Sequence, residues 1–171
     1  MGCGQPWSTP PEPVRRFAAR IKRTRRGDFE LRLPDGEREL LRTLPGQLRQ
    51  ALPTDDLGVG RLFPPAYVDS PEHEAEYRRM VRDDLMAEHL EAIRVMEETI
   101  DARRLSEEQL TSWLRALNDL RLVLGTRLHV TEDTYEDEMD QEAPDTPAYA
   151  LFFYLGWLEE HVVAALAGRT G

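Results

Sequence analysis

With 171 residues, 32% of them charged, and a formal net charge of −10, the chain is sized for one domain and suits solvated helices better than a β-sandwich. Its one cysteine, Cys3, excludes an intramolecular disulfide, and no run of about 20 apolar residues offers a membrane-spanning helix. Residues 1–50 hold 11 Lys and Arg against 6 Asp and Glu, and the remainder holds 11 against 26, so a basic start (+5) precedes an acidic body (−15).

An acidic body repels nucleic acid over about 8–10 Å at ordinary salt. Any DNA contact would therefore fall to the basic N-terminal part; alternatively, the two halves attract each other. The N-terminus lacks the apolar core of a signal peptide, and sparse cysteine suits a reducing cytoplasm.

Residues 1–14, with Pro6, Pro10, Pro11 and Pro13, read as a flexible tail ahead of a single helical domain over 15–168. Phe17–Lys22 and Asp28–Leu33 alternate in character around Arg25-Arg26-Gly27-Asp28, which predicts a β-hairpin. A hairpin alone is marginal in water, so it must lie against helices. Asp35-Gly36 opens a helix to Leu52 with Leu40, Leu41, Leu44, Leu48 and Leu52 as its apolar stripe. Pro45 inside that pattern predicts a kink or a split into two short helices.

Residues 53–70 read as a packed-down loop, with Leu62, Phe63 and Tyr67 apolar within it. Ser70-Pro71-Glu72 starts a helix running to about Ile100. Tyr77, Met80, Val81, Leu85, Met86, Leu90, Ile93, Met96 and Ile100 mark its buried side. Ser106 to Gln109 forms a capping-box pattern before a stripe from Leu110 through Trp113 and Leu117 to Leu128. Gly125 allows close packing there or marks the helix end. Residues 131–147 carry eight acids and no Lys or Arg, and predict a solvated acidic loop. The last helix, about Pro147–Ala167, is apolar on nearly every face, so it is either central to the core or covered by a second copy in a homodimer. These elements predict a mainly α fold, a β-hairpin packed on a bundle of about four helices.

Chemistry is sparse. His73-Glu74-Ala75-Glu76 lacks the second histidine of a zinc helix, and no Glu-x-x-His pair repeats on two helices. The four histidines therefore read as surface or helix-edge residues, and a deep polar pocket lined by Glu88, His89 or His161 would be needed for enzyme chemistry. The reading is a non-enzyme with no metal and no cofactor. Arg121, set among leucines, predicts a half-buried ion pair, because a guanidinium out of water needs partners. The binding candidates are the hairpin cations Arg20, Lys22, Arg23, Arg25 and Arg26, suited to phosphates or to an acidic protein surface. Their bland role is to protect an edge strand from aggregation by charge.

Several blocks resemble an actinobacterial family, formerly a domain of unknown function and later called AosR-type oxidative-stress regulators. They are the hairpin with Glu37-Arg38-Glu39-Leu40-Leu41, Arg61–Tyr67, Glu76-Tyr77-Arg78-Arg79, Trp113–Leu128 and Tyr154-Leu155-Gly156-Trp157-Leu158. Asn118–Leu128 is the most specific of them. The resemblance implies a cytoplasmic, non-enzymatic regulator of transcription acting through protein contacts, such as with a sigma factor. Members are typically encoded near the ClpS proteolysis adaptor, which suggests an adaptor role as one alternative; a DNA-binding dimer using the basic hairpin is another. With Cys3 alone, any redox switch would be intermolecular.

Overall fold

The computed structural model describes residues 19–54, 57–130 and 146–168. The tail expected over 1–14 and nearly all of the acidic segment 131–147 lie outside the described residues. The fold is mainly helical, with an antiparallel sheet at its N-terminal end.

Strands β1 (Ile21–Arg23) and β2 (Phe29–Leu31) pair as the expected hairpin, Ile21 opposite Leu31 and Arg23 opposite Phe29. Gly27 closes the turn at φ +89°, a left-handed conformation that a side chain would strain. A third strand, β3 (Arg104–Leu105), adds to β2 and was not expected. Two residues carry no readable alternation, and it is tertiary pairing that makes them a strand. Alternation sends Ile21, Phe29, Leu31 and Leu105 inward, all buried, and lines Lys22, Glu30 and Arg104 across the outer face.

Helix α1 spans Asp35–Ala51 without interruption. Pro45 does not split it: the ring is buried in the stripe with Leu41, Leu44 and Leu48, which offsets the one lost backbone hydrogen bond. Leu40 falls off that stripe and is 40% exposed. One short turn of helix, α2 (Leu57–Gly60), buries Val59. Helix α3 covers Pro71–Thr99, and α4 runs back over Glu107–Arg127. Both bonds of the capping box are made, Gln109 N–H to Ser106 Oγ at 3.1 Å and Ser106 N–H to Gln109 Oε1 at 2.9 Å.

The expected inner side of α3 is buried only in its second half, at Ala92, Ile93 and Met96. Met80 is 68% exposed, and Tyr77, Val81 and Leu85 are half-buried. Length explains this. At 1.5 Å per residue α3 is about 43 Å long and α4 about 31 Å, so the start of α3 overhangs its neighbour.

The last helix, α5 (Pro147–Leu166), packs antiparallel on α4 and meets β1 with its other flank. It buries Phe152, Leu155, Leu158, Val162 and Ala165, while Phe153 and Val163 stay exposed. One face of the helix is thus core and the other faces outward, so the helix is not central to the core on every side. Trp113 is fully buried at the centre, its indole N–H donating to Thr99 Oγ1 at 2.8 Å. Gly125 lies within α4 and is not its end. Its role is close packing: an added Cβ would stand 2.9 Å from Phe152 Cε2.

Gly125→Ala is therefore expected to destabilise the protein. Overpacking against the buried ring outweighs the helix propensity gained, for a net loss of about 1 kcal/mol. Thermal unfolding should show a Tm lowered by roughly 2–4 °C; an unchanged or raised Tm would show that the ring yields.

Candidate basic interface

Arg20 sits at the bend that leads into β1 and turns away from the other hairpin cations. Its side chain is 14% exposed. The guanidinium donates to Glu37 on α1 through Nε at 2.9 Å and Nη2 at 2.7 Å, and lies 5.3 Å over the Trp157 ring. Tyr154 on α5 donates its hydroxyl to the same carboxylate at 3.0 Å. Burial and the Glu37 charge together push the Tyr154 phenol far above its usual range, so it stays a neutral donor. Arg20, the first of the five candidates, is thus a tie between strand, α1 and α5.

The other four share the outer end of the hairpin. Lys22, Arg25 and Arg26 are exposed and make no side-chain ion pair among the described residues. Arg23 is 41% exposed, lies over the Phe29 ring and stands 3.9 Å from Glu107. Arg32, Arg103 and Arg104, which no run of basic residues flagged, are also exposed beside them. Two carboxylates are set into this surface. Asp28 accepts from the Thr24 hydroxyl and pairs with Arg104 at 3.3 Å, and Glu30 pairs with Arg32 at 2.6 Å. Each is held below the usual carboxylate range, Asp28 chiefly by the Thr24 hydroxyl and Glu30 chiefly by the Arg32 guanidinium. The result is a cationic surface with fixed negative points.

A second polar centre lies in the bundle. His89 on α3 and Asp119 on α4 meet at 2.6 Å, with side chains 12% and 2% exposed. His89 is thus largely buried, against the expectation of a surface or edge residue. A backbone hydrogen bond joins it to Leu62, and the Phe63 ring stands edge-on at 5.4 Å. Hydrogen bonding to Asp119 raises the imidazole pKa against the opposing effect of burial. The sequence held a signal: His89 falls in the inward phase of α3 between Met86 and Ile93, and Asp119 interrupts the leucine stripe of α4. Their pairing across 30 residues is what no spacing reveals. His161 is occupied too, its Nδ1 2.8 Å from the Trp157 carbonyl oxygen. Glu88, the third group named with them, pairs with Arg115 at 2.7 Å. Among the described residues no group of three or more His, Cys, Asp or Glu could hold a metal ion.

Arg121 finds the partners its setting demanded. It donates to Glu159 at 3.2 Å and lies 5.3 Å over the Phe152 ring, beside Gly156.

The family described as a domain of unknown function, DUF2017, matches residues 15–166, and the chain belongs to it. No curated protein and no solved structure matches the chain. Among the described residues no helix is long and apolar enough to cross a membrane.

Glu37→Ala removes the acceptor that the Arg20 guanidinium and the Tyr154 hydroxyl share in a half-buried site, and is expected to cost about 2 kcal/mol in urea unfolding. Glu37→Gln, which keeps an acceptor, should cost less; no loss in either variant would remove the tie. The pH dependence follows from the raised pKa of His89. Its contribution to stability is whole below about 6.5, the ordinary imidazole value, and is lost as pH rises through the higher folded value. The unfolding free-energy gap between the wild type and His89→Gln should therefore shrink as pH rises above about 6.5. A gap that stays flat there would contradict the pairing.

Proposed function

We propose that this chain is a non-enzymatic, cytoplasmic regulator of the AosR oxidative-stress type. In this reading it acts on transcription by binding an acidic surface of the transcription machinery, such as a sigma factor, through the outer face of the hairpin. The observation that carries the reading is the set of exposed cations that close no ion pair among the described residues, Arg25 and Arg26 at the turn and Lys22 opposite Glu30, on a protein of net charge −10. Most other arginines close ion pairs with carboxylates of their own chain, at Arg32, Arg42, Arg49, Arg94 and Arg115 among others. The hairpin cations keep their charge available, and the Arg20 tie holds them in one orientation. The kind of partner comes from the resemblance of the hairpin, Arg61–Tyr67 and Trp113–Leu128 blocks.

Asp28 and Glu30 favour a protein over a phosphate backbone. A protein can meet the cations with acids and these two carboxylates with its own Lys or Arg, whereas a uniform run of phosphates would face fixed negative charge at both points. A stress signal would reach the protein through an intermolecular disulfide at Cys3, since no second cysteine exists.

The test is a pull-down from native extract with wild-type protein and the Lys22→Glu/Arg25→Glu/Arg26→Glu variant. RNA polymerase or a sigma factor should be captured by the wild type and reduced at least tenfold by the variant. Equal capture would overturn the hairpin assignment. Retention of labelled duplex DNA, with affinity falling steeply with salt and abolished in the same variant, would move the reading to DNA. Enrichment of Clp components would move it to proteolysis.

A further inference from the structure

The overhanging start of α3 and the segment after α2 enclose a second surface, built from elements other than the hairpin. A cleft of about 280 Å³ opens between them. Val59, Phe63, Pro64, Pro65, Tyr77 and Leu85 give it apolar walls. Two cations also line it, Arg78 and Arg82, and among the described residues no carboxylate does. In a chain of net charge −10 this pairing of apolar wall and positive rim is distinctive.

One carboxylate ties the two sides of the cleft together. Glu74 accepts the backbone N–H groups of Ala66 and Tyr67, both at 2.9 Å, and receives Arg78 Nε at 2.7 Å. That clamps the Pro64-Pro65-Ala66-Tyr67 segment onto the first turns of α3. The two prolines offer ring surface and no N–H, so a wall made of them is apolar without leaving a donor unmet. Arg82 is left without a carboxylate partner among the described residues and lies 5.4 Å over the Phe63 ring, its charge at the mouth of the cleft. Beside the mouth, Tyr67 packs edge-on to Tyr77 at 6.0 Å, with Tyr67 50% and Met80 68% exposed, so the apolar surface continues outward.

Volume and charge select the occupant. The cleft is smaller than the roughly 300–1,000 Å³ of a site that encloses a drug-sized ligand or cofactor, and suits one large apolar side chain. Charge complementarity requires acids on either side of that anchor. We propose that this cleft is a docking site for an acidic peptide segment of a partner protein, seating one aromatic or aliphatic side chain between Phe63 and Leu85 while a carboxylate of the segment meets Arg82, with Arg78, already held by Glu74, flanking the site. The site is independent of the hairpin reading and survives its failure.

The test uses full-length protein and a fluorescein-labelled acidic dodecapeptide carrying one phenylalanine and one leucine. Two control peptides accompany it, one with alanine at both anchors and one with lysine in place of every acid. Fluorescence anisotropy should give binding to the first peptide alone, weakened at least tenfold by Arg82→Glu and unchanged by Lys22→Glu/Arg25→Glu/Arg26→Glu. Arg82 is exposed, so its variant is expected to fold, and circular dichroism checks that. Amide chemical-shift changes should centre on Val59, Phe63, Tyr77 and Leu85. Undiminished binding to the Arg82→Glu variant, equal binding of the lysine peptide, or shift changes centred on the hairpin would overturn the proposal. So would a wild-type dimer that Arg82→Glu or Met80→Glu converts to monomer, because the cleft would then belong to a second copy.

Discussion

Glu37 accepts hydrogen bonds from two sides, from Arg20 at the entry to the sheet and from Tyr154 on the last helix. It stands on the first turn of α1, so one carboxylate joins three parts of the chain that are far apart in sequence. The hairpin is short, three residues to a strand, and could not hold its place by its own ladder. Its inward side chains Ile21, Phe29 and Leu31 supply the apolar attachment, and Arg20 fixes the direction. The constraint also decides which cations point outward. Arg20 is consumed by it, and Lys22, Arg25 and Arg26 are left to face solvent.

The molecule divides its positive charge in the same way elsewhere. Exposed ion pairs such as Arg94 with Glu91 and Glu98, or Arg42 with Asp101, contribute little stability each, about 0–1 kcal/mol. Their effect is local neutralisation. Against that background, two places stand out among the described residues where a cation left without a carboxylate lies beside a defined surface: Arg25 and Arg26 at the hairpin turn, and Arg82 at the mouth of the cleft beneath the overhang of α3. The two surfaces differ in kind. The hairpin face is polar and studded with two carboxylates, whereas the cleft is apolar and positive, with no carboxylate among the described residues of its wall.

Much of the fold was legible where a local rule sufficed. Alternation located the hairpin, Ser106 and Gln109 announced the start of α4, and three-and-four spacing placed the long helices. What escaped depended on neighbours. Arg104-Leu105 becomes a strand because β2 lies beside it. Pro45 sits in a continuous helix because its ring completes an apolar stripe. The stripe of α3 names candidates for burial but not the length of the helix that covers them, so Met80 and Tyr77 were counted as core. The basic run was visible, yet a run of charge does not say that the chain bends at Arg20. The blocks Arg61–Tyr67 and Asn118–Leu128 were visible as blocks, but not their meeting: Leu62 and Phe63 come from one and Asp119 from the other, and both close on His89.

Hydrogen–deuterium exchange of the intact protein, alone and mixed with purified RNA polymerase carrying its sigma factor, bears most directly on the proposed role of the hairpin. Slowed exchange is expected over residues 21–31, where the outward cations would be covered. Exchange over that stretch identical with and without polymerase, while the rest of the chain remains folded, would contradict it.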